Sequence, residues 1–482
     1  MKSSELQKSL KNVISGDIFW DKEVLNYYSV DASAYQIIPK IVIIPKNEQD
    51  VINTVKIAKK YKTSVTPRGS GTGLVGNSLN KGIIVDLKKL DKIKIRKNYV
   101  RVGSGVNKGH LDNILKENQK FFPPSPSIGP YCSIGGMMGN NSSGSRSLKY
   151  GSVIDNIKKI TFVNGNGKKV SLPHDKKSGE RILKIAKKIN HSKFPNVTKN
   201  SSGYRLDVVK SISNTQKVLA GSEGSLGIIL SAELKIIPIP KKRILFVIGY
   251  KSEIEAAKEC NQIVTTSPSA LEFVDKTIMK NISHNFNKKI NCLLFVEYDF
   301  KITNMQKRLK QIIAGVIIKT IKNNSEIQKW WKFRDSALYY SSKSIKSKTL
   351  HVIEDATVPV ENLPKLFLAI KKINKKFHAK SIAYGHAGNG NIHIRLILDE
   401  KKTKNIKLIA DEYFDRIIKM GGTITGEHGD GLARSEYVRK QYGSANYKIF
   451  KELKKMFDPS NILNPGKVIS HKSTIIKNLS RV

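Results

Sequence analysis

Two histidines beside a predicted tight turn are the strongest chemical signal in the sequence. The stretch YGHAGNGNIHIR, residues 384–395, contains Asn389-Gly390, a dipeptide typical of two-residue type I′ hairpin turns because both positions need positive φ. Counting outward from this turn places His386 directly opposite His393 on one face of a sheet, with Cβ atoms roughly 4.5–5.5 Å apart. Two imidazoles at that separation can hold one metal ion at about 2.0–2.1 Å from each nitrogen. The hairpin therefore predicts half of a metal site.

A third metal ligand is predicted in the segment GEHGDG, residues 426–431. Neighbouring side chains of a regular strand point to opposite faces, so Glu427 and His428 reach one centre only if the flanking glycines bend the backbone. A carboxylate beside two imidazoles suits zinc or a similar divalent ion and leaves an open position for a substrate. His428 would then remain as a base. The alternative is an ordinary cross-strand histidine pair with Glu427 in a loop, and the local pattern leaves both interpretations open.

Three glycine-rich loops are the next functional signal. In PRGSGTGLVG, residues 67–76, glycines at alternate positions allow successive backbone N–H groups to converge on a pyrophosphate. The loop leads into a strand instead of a helix, so it differs from the usual dinucleotide fingerprint, and a flexible surface turn is the alternative. The residues that we expect around the pyrophosphate are Arg68, Gly69, Ser70, Gly71, Thr72 and Gly73.

Two further loops extend the predicted cofactor site. Residues 133–151, SIGGMMGNNSSGSRSLKYG, have enough small residues to let the backbone approach a flat aromatic ligand closely. Residues 221–229, GSEGSLGII, place Glu223 and a glycine pair before an apolar strand. Three such loops in one α+β region indicate a large nucleotide cofactor that lies extended across a domain.

The elements between these motifs predict an α+β protein of more than one domain. Prolines mark a boundary near residues 238–242, and beyond it strand–helix–strand units indicate a mainly antiparallel domain that ends in the histidine hairpin. Arg334, in the helical segment WWKFRD, is suited to bind an anionic substrate because a guanidinium matches a carboxylate with two hydrogen bonds. We divide the chain into residues 1–240, with a core at about 36–215, residues 241–410 and residues 411–482.

The chain is strongly basic, with 85 Lys and Arg against 39 Asp and Glu and a formal charge of +46. Its lysines are spread along the whole length without a nucleic-acid-binding motif, which indicates solvated faces or weak adhesion to an anionic membrane, and no nucleic-acid partner. Three cysteines without a CxxC pair exclude a cysteine-ligated iron–sulfur cluster within the chain. No apolar signal-peptide core and no run of about eighteen apolar residues occurs, so we expect a cytoplasmic protein, at most peripheral at the inner face of the membrane.

Taken in order, the motifs of this chain resemble those of the FAD-linked oxidases of the vanillyl-alcohol-oxidase type. The resemblance covers nearly the whole chain and points to the branch with D-lactate dehydrogenases, D-2-hydroxyglutarate dehydrogenases and the glycolate oxidase flavoprotein subunit. It is carried by PRGSGTGL, SIGGMMGNNSSGSRSLKYG, GSEGSLGI, GHAGNGNIH, GEHGDG and FDPSNILNPGK. It implies an α+β fold with a two-lobed FAD-binding domain followed by an α+β substrate (cap) domain with an antiparallel sheet. Residues 411–482 would complete the active site and pack back on the FAD-binding domain.

The resemblance also implies the roles of the site residues. FAD would be held noncovalently, because PRGSGTG contains no histidine that could link to the flavin. A divalent metal, zinc or manganese, would be bound by His386, His393 and Glu427, with His428 as the catalytic base and Arg334 as the anchor of the substrate carboxylate. The residues implied around the flavin ring are Gly135, Gly136, Asn141, Ser143, Gly144, Glu223, Gly224, Gly227 and Ile228.

The implied reaction is oxidation of a D-2-hydroxy acid to the 2-oxo acid, in which His428 removes the hydroxyl proton and hydride passes to flavin N5. Two residues depart from the hydroxyglutarate-oxidising pattern, since Arg395 stands in place of an asparagine and Leu338 in place of a hydroxyl residue. These departures favour D-lactate or a glycolate-like substrate, although Arg395 could also bind a second acidic group.

The electrons are expected to pass to a separate acceptor, a cytochrome, a quinone or an iron–sulfur protein, because the chain has no cysteine motif for a cluster of its own. Two alternatives stay open at this point. One is an FAD-dependent alkyl transferase of ether-lipid synthesis, whose membrane substrate a basic surface would suit. The other is a basic anion-surface binding protein with a degenerate flavin fold, which the intact cofactor loops disfavour.

Overall fold

The first part of the chain forms a small mixed sheet and a larger antiparallel sheet. The computed structural model describes residues 2–280, 286–300, 302–337, 339, 349–350, 353–397, 405–470 and 473–480. The strands of the mixed sheet are β1 (Asp17–Phe19), β2 (Ile41–Ile44), β3 (Val65–Arg68) and β4 (Ile83–Asp86). They lie in the order β1-β2-β4-β3, with β2, β4 and β3 parallel and β1 antiparallel to β2. β2 and β4 are buried along their whole length, which suits their apolar runs IVII and IIV.

The next strands build the antiparallel sheet and a short ribbon. They are β5 (Ile93–Ile95), β6 (Tyr99–Gly103), β7 (Lys120–Phe121), β8 (Ile157–Val163), β9 (Lys169–Leu172), β10 (Ile228–Lys235) and β11 (Ile237–Pro238). Five of them form a sheet in the order β5-β6-β10-β8-β9, and β7 pairs with β11 in the ribbon. Val102, Ile160 and Leu234 belong to the apolar core on this sheet.

Helices and glycine-rich loops connect these strands. The helices are α1 (Lys2–Lys11), α2 (Lys22–Tyr27), α3 (Glu48–Lys60), α4 (Lys108–Glu117), α5 (Ile134–Asn140), α6 (Ser147–Tyr150), α7 (Val153–Asn156) and α8 (Lys176–Ala186). Val51, Val55 and Ala58 of α3 are buried in the core of the mixed sheet at the helical spacing that the sequence predicts. The first glycine-rich loop follows β3, the second contains α5 and α6, and the third precedes β10.

Residues 244–397 contribute a seven-stranded antiparallel sheet, which confirms the predicted α+β fold with an antiparallel second domain. Its strands are β12 (Ile244–Tyr250), β13 (Ala270–Asp275), β14 (Cys292–Tyr298), β15 (Val316–Ile321), β16 (Thr349–Leu350), β17 (Lys380–His386) and β18 (Asn391–Ile397). They lie in the order β15-β12-β14-β13-β17-β18-β16, and every neighbouring pair is antiparallel.

The helices of this second part cover the seven-stranded sheet. They are α9 (Glu253–Thr265), α10 (Lys276–Met279), α11 (Met305–Ile312), α12 (Asn324–Asp335), α13 (Leu363–Phe377) and α14 (Ile406–Lys419). α9, α13 and α14 share one apolar core with the sheet, and Cys260, Ile370 and Tyr413 belong to it. Trp331 of α12 belongs to a second core that contains alternate residues of the same strands. The sheet is therefore buried on both faces.

The histidine hairpin forms, but its turn differs from the prediction. β17 and β18 pair His386 with Asn391, so residues 387–390 form a four-residue loop, and His393 lies two residues further along β18. Within this loop Gly390 alone has a positive φ, +71°. The predicted type I′ turn, with the two histidines directly opposite each other, is therefore wrong. Because the register differs by two residues and side chains alternate with a period of two, the histidines still share one face as diagonal neighbours.

Contacts of the loop with other segments explain this difference. Asn389 accepts a hydrogen bond from Ser147 Oγ at 2.9 Å and donates one to Thr198 Oγ1 at 2.8 Å. A Cβ atom on Gly390 would lie 1.8 Å from the carbonyl oxygen of Val358. These contacts hold the loop between two other parts of the chain, so its conformation is not set by the turn preference of one dipeptide.

The C-terminal part of the chain contacts both sheets. It contains α15 (Gly431–Arg434) and α16 (Val438–Phe457). Tyr442, Phe450 and Phe457 of α16 lie in the core of the five-stranded sheet, and the rings of Phe162 and Phe457 are 5.4 Å apart between centroids. α14 belongs to the core of the seven-stranded sheet, so residues 426–431, between α14 and α15, lie where the two parts meet. Among the described helices, none has the length and apolar character needed to cross a membrane.

Candidate active site

One cavity is lined both by the glycine-rich loops and by the histidine hairpin. It contains Arg334 of α12, together with the two hairpin histidines and the Glu427-His428 pair. Most of the predicted cofactor residues line it as well. These are Arg68, Gly69, Ser70, Gly71, Thr72, Gly73, Gly135, Gly136, Gly144, Glu223, Gly224 and Gly227.

Three predicted cofactor residues lie behind the cavity wall. The side chain of Asn141 bonds two backbone groups, and Ile228 is fully buried at the start of β10. Ser143 is also buried and donates a hydrogen bond to the carboxylate of Glu427. We therefore expect these residues to shape the wall without touching a bound cofactor through their side chains.

The glycine-rich loops pack so closely that side chains would not fit between them. A Cβ atom on Gly69 would lie 2.0 Å from Ser133 Oγ in the second loop. Gly224, in the third loop, has a φ of +71°, and a Cβ atom there would lie 2.3 Å from Pro67 Cγ. The cavity wall at this end is thus mainly backbone, which suits the phosphates and flat rings of a dinucleotide.

Two charged residues of the predicted cofactor set are bonded to the protein itself. Arg68 donates a hydrogen bond of 2.8 Å to the carbonyl of Val30. The carboxylate of Glu223 accepts hydrogen bonds from the backbone N–H groups of Asp430, at 2.6 Å, and Gly431, at 3.0 Å. Glu223 therefore ties the third glycine-rich loop to the C-terminal part of the chain.

His386, His393 and Glu427 form a compact, buried group of metal-ligand type. Glu427 Oε1 lies 3.0 Å from His386 Nε2 and 3.3 Å from His393 Nε2. Two ligands at about 2.1 Å from a tetrahedral ion are about 3.4 Å apart, so these separations match a shared centre. The structure thus brings together the three residues that the sequence predicts as ligands.

Each hairpin imidazole lies between two carboxylates. His386 has Glu427 beside Nε2 and Glu272 beside Nδ1, at 2.7 Å, while His393 has Glu427 beside Nε2 and Glu354 beside Nδ1, at 3.3 Å. A neutral imidazole carries one N–H group and cannot donate to a carboxylate on both sides. A cation at Nε2, with Nδ1–H facing the outer carboxylate, suits both nitrogens, as in metal sites with a carboxylate behind each histidine; the contact of His393 with Glu354, at 3.3 Å, lacks hydrogen-bond geometry in this structure. The residues present therefore fit a divalent metal ion.

The charges around the histidines also favour a cation. Burial on its own raises the pKa of the Glu427 carboxyl, but Lys199, at 3.1 Å, and His386 outweigh it and hold that pKa well below its usual range. With the imidazoles neutral, four carboxylates that contact them and three cations that contact those carboxylates leave an excess of one negative charge among these described groups, which a proton on His428 or a bound cation offsets. The carboxylates are Glu272, Glu354, Asp355 and Glu427, and the cations are Arg334, Arg434 and Lys199.

His428 lies against the metal-ligand group. Its ring stacks on that of His393, with centroids 5.1 Å apart, and its Nδ1 is 2.6 Å from Glu354 Oε1. Asp355 Oδ2 accepts hydrogen bonds from the backbone N–H groups of both Glu427 and His428, which fixes the backbone so that the two side chains face the hairpin. Burial lowers the pKa of His428, but Glu354 and Asp355 outweigh it and raise the pKa to about 9. With Nδ1 bonded to Glu354, Nε2 is the nitrogen available to a substrate.

The two predicted substrate-binding arginines occupy different places. Arg334 lines the cavity, forms an ion pair with Glu272 and donates to Ser127 Oγ at 3.3 Å. Burial lowers the pKa of Arg334, but Glu272 outweighs it and keeps the guanidinium charged. Arg395 is buried in β18 and is not among the residues that line the cavity. Leu338, the other departure noted in the sequence, lies outside the described residues.

Comparisons with protein families identify the architecture around this cavity. Residues 39–173 match a family model described as an FAD binding domain, and residues 239–468 match one described as the C-terminal domain of FAD linked oxidases. The second match includes both strands of the histidine hairpin and residues 426–431. The chain belongs to the FAD-linked oxidases. FAD is therefore the cofactor whose phosphates and rings the glycine-rich loops of this oxidase fit.

This FAD-linked oxidase is similar over most of its length to several characterised enzymes. It is 29% identical over 465 residues to the glycolate oxidase subunit GlcD of Bacillus subtilis, and the match covers 92% of each chain. It is 28% identical to a D-lactate dehydrogenase of Anaerostipes hadrus, with 89% of each chain covered. It is also 28% identical to a D-2-hydroxyglutarate dehydrogenase of Haemophilus influenzae, where 91% of this chain matches 49% of the relative. The oxidase thus spans about half the length of that third relative.

Solved structures share the fold of this oxidase. An alkyldihydroxyacetonephosphate synthase superposes with a TM-score of 0.70 at 19% identity, covering 96% of this chain and 86% of the other. A p-cresol methylhydroxylase with substrate bound superposes with a TM-score of 0.70 at 14% identity, covering 97% of both chains. At these identities the likeness shows the fold alone; together with the matched FAD binding domain it confirms the predicted fold class.

Five charged residues around the histidines of the oxidase were not predicted from the sequence to belong to the site. Three of them had a weak signal, because a charged residue stands within a segment that reads as apolar or as turn. Glu272 interrupts the apolar strand LEFVD, and an acidic pair opens EDATVP before β17. Buried charges are unusual unless they are paired, but pairing partners far along the chain are not visible in a sequence. The five residues are Lys199, Glu272, Glu354, Asp355 and Arg434.

Proposed function

We propose that this FAD-linked oxidase oxidises a D-2-hydroxy acid, D-lactate or a glycolate-like acid, to the corresponding 2-oxo acid. In this proposal a divalent ion, zinc or manganese, is held by His386, His393 and Glu427. The observation that carries the proposal is the placement of each hairpin imidazole between two carboxylates, in the same cavity as the FAD loops. This arrangement supports metal ligation next to the flavin, where oxidation of an alcohol takes place.

Oxidation of a 2-hydroxy acid removes the hydroxyl proton and, from Cα, a hydrogen with two electrons. FAD supplies the acceptor for the electrons and the divalent ion supplies a positive charge that lowers the pKa of the hydroxyl group. Arg334 binds the carboxylate and fixes the orientation of the substrate. His428 accepts the hydroxyl proton at Nε2 when its imidazole is neutral, since its Nδ1 is bonded to Glu354; with a pKa of about 9 this neutral form is the minor one at neutral pH.

A small monocarboxylic acid is the substrate class that the cavity supports best. The described arginines that line it are Arg68, among the FAD loops, and Arg334, next to the metal ligands. One guanidinium at the substrate end matches one carboxylate, whereas a diacid would need a second cation there. Arg395, the candidate for that second cation, does not line the cavity. The relatives named for glycolate and D-lactate agree with this choice.

The reduced flavin is proposed to pass its electrons to a separate acceptor, a cytochrome, a quinone or an iron–sulfur protein. The three cysteines of the chain are all buried and are not arranged as cluster ligands. One relative, of Arabidopsis thaliana, is named a D-lactate dehydrogenase of the cytochrome type, at 26% identity. The high positive charge is compatible with contact of the oxidase with an anionic membrane surface during this transfer.

Anaerobic mixing of the yellow protein with D- and L-2-hydroxy acids tests the proposal, with flavin absorbance at roughly 450 nm as the readout. We expect D-lactate or glycolate to bleach the flavin and L-lactate to leave it oxidised. A yellow protein that no acid bleaches would contradict the proposal and favour the FAD-dependent alkyl transferase. A colourless protein retained on anionic surfaces would favour the degenerate binding protein.

A further inference from the structure

The carboxylate of Glu354 touches two histidines with different proposed roles. Its Oε1 lies 2.6 Å from Nδ1 of His428, the proposed base, and 2.9 Å from Nη2 of Arg434. Its Oε2 lies 3.3 Å from Nδ1 of His393, a proposed metal ligand whose Nδ1 is buried and has no partner in hydrogen-bond geometry among the described residues. The Glu354 side chain is 2% exposed, and that of Arg434 is fully buried. These contacts are therefore shielded from solvent water.

We propose that Glu354 is a positioning residue that holds the proton of both imidazoles on Nδ1. This inference rests on the proposed function and assigns a residue to which neither the motifs nor the relatives' names give a role. A carboxylate has two oxygens and only accepts hydrogen bonds. It can therefore keep Nδ1–H on His393 and on His428 together, so that each Nε2 presents a lone pair, one to the metal ion and the other to the substrate's hydroxyl proton.

Glu354 differs in this respect from the other carboxylates of the site. Glu272 also contacts the Nδ1 of a metal-ligand histidine, His386, but its second oxygen pairs with Arg334 and not with the base. Asp355 accepts hydrogen bonds from the backbone N–H groups of Glu427 and His428. These contacts with the backbone of residues 427–428 are shorter than its contacts with the imidazole nitrogens. Among the described carboxylates, Glu354 is thus the one within 3.5 Å of Nδ1 of both the base and a ligand, whereas Asp355 lies 3.8 Å and 3.7 Å from the same two nitrogens.

The variant Glu354→Gln tests this link with almost no change in size. A glutamine amide has one accepting oxygen and one donating NH₂ group. Whichever imidazole faces the NH₂ group must accept at Nδ1 and carry its proton on Nε2. That placement disables either His393 as a ligand or His428 as a base, so one of the two functions is lost whatever way the amide points.

The matched control is Glu180→Gln, which makes the same change at an exposed position of α8 that does not line the cavity. Both variants are purified with FAD, and their metal affinity is measured by competition with a chelator. Loss of an outer carboxylate weakens metal binding about 10- to 100-fold. The flavin reduction rate is then measured anaerobically at saturating metal and saturating D-2-hydroxy acid.

The two measurements are expected to separate the variants. Glu180→Gln should match the wild type in both. Glu354→Gln should bind the metal ion about 10- to 100-fold less tightly if the NH₂ group faces His393, or should reduce flavin about 100-fold or more slowly at saturating metal if it faces His428. Wild-type metal affinity together with a wild-type rate in Glu354→Gln would overturn the inference. A wild-type protein that no D-2-hydroxy acid reduces would instead contradict the proposed function, and this outcome is visible before either variant is made.

A second measurement needs no Glu354 variant and no turnover. Imidazole nitrogen chemical shifts are recorded for the zinc-loaded FAD protein labelled with ¹⁵N-histidine, at a pH where His428 carries a single proton, and His428→Asn identifies its signals. The inference predicts that the protons of His393 and His428 are on Nδ1. A proton on Nε2 of His428 would overturn it even if Glu354→Gln failed to fold.

Discussion

Lys199 lies 3.1 Å from Glu427 although 228 residues separate them in the sequence, and both side chains are buried. Burial lowers the pKa of Lys199, and Glu427 acts in the opposite direction. The lysine thus compensates the carboxylate that is proposed to bind the metal ion. In the metal-bound protein, the negative charge of the Glu427 carboxylate would be compensated by both the Lys199 ammonium group and the metal ion.

Replacement of Lys199 should make the protein more dependent on metal. Lys199→Met leaves Glu427 buried without its lysine, and loss of one partner of a buried ion pair costs about 3–5 kcal/mol. A bound divalent ion would compensate the carboxylate in its place. We expect the melting temperature to rise more on addition of zinc in Lys199→Met than in the wild type. An equal or smaller rise would mean that Lys199 and the metal ion do not act on the same carboxylate.

Arg334 should control substrate affinity without controlling the metal. Arg334→Lys keeps a positive charge beside Glu272 but loses the two-pronged match to a carboxylate. Charge-assisted hydrogen bonds contribute about 1.5–3 kcal/mol, so substrate affinity should fall roughly 10- to 150-fold with metal content unchanged. The measurement is the substrate concentration dependence of flavin reduction, together with elemental analysis.

Arg395→Lys is the matched control for Arg334→Lys. Arg395 does not line the cavity, so we expect the relative rates for a monocarboxylic and a dicarboxylic D-2-hydroxy acid to stay as in the wild type. A selective loss of the diacid rate would show that Arg395 reaches the substrate after all.

FAD binding should depend on the absence of a side chain at Gly224. Gly224→Ala places a Cβ atom 2.3 Å from Pro67 Cγ and imposes a side chain on a φ of +71°. Gly443→Ala is the control, because Gly443 has a similar φ of +75° but nothing within 4 Å of its Cβ position. We expect FAD retention, measured as flavin absorbance per protein, to drop in Gly224→Ala and to stay near wild type in Gly443→Ala. Equal flavin loss in both variants would show that backbone strain causes the loss, and not the close packing of Gly224 against Pro67.

The contact between the second glycine-rich loop and the seven-stranded sheet should weaken in acid through Glu297. Arg146 Nε and Nη2 lie 2.7 Å and 2.9 Å from the Glu297 oxygens, and the carboxylate is fully buried. Burial raises the pKa of Glu297, but Arg146 outweighs it and lowers the pKa below 4.5. Because the folded pKa is depressed, the stabilisation is present above the unfolded value and is lost as the pH falls through the folded one.

Glu297→Gln should therefore destabilise the protein by about 3–5 kcal/mol at neutral pH, the range for breaking a buried pair. The difference from wild type should shrink as the pH is lowered below 4.5, where the wild-type carboxyl also becomes neutral. Urea unfolding curves at neutral and acidic pH measure this difference. Glu180→Gln, at an exposed position of α8, is the control and should change stability at neither pH. A pH-independent loss in Glu297→Gln would exclude the ion pair as its cause.

Local rules account for what the sequence predicts correctly. The glycine-rich loops were recognisable because close backbone approach and positive φ at Gly224 need glycine whatever surrounds it. His386 and His393 were correctly predicted on one face of the sheet, although the predicted register was wrong. The face is the same because the register error was two residues, one full period of a strand. The ligand set itself depended on Glu427, which only the resemblance to a known family connected firmly to the hairpin.

Contacts between distant segments account for what the sequence does not predict. Glu272 and His386 are 114 residues apart, and Glu354 and His428 are 74 residues apart, so no spacing rule relates them. The turn at residues 387–390 was mispredicted for the same reason, since Asn389 is bonded to Ser147 and Thr198 in the FAD-binding part of the chain. Arg395 was a candidate substrate ligand because it replaces an asparagine of the hydroxyglutarate-oxidising pattern, but whether a residue lines the cavity depends on the packing of all neighbouring elements.

The most direct test of the account is whether the metal is required for flavin reduction. The wild-type protein is treated with a chelator, shown by elemental analysis to be metal-free while still yellow, and mixed anaerobically with D-lactate and glycolate. We expect no bleaching at roughly 450 nm until zinc or manganese is added, and no recovery in His386→Asn. Full bleaching of the metal-free protein at the wild-type rate would contradict the central claim that His386, His393 and Glu427 hold a metal ion needed for the oxidation.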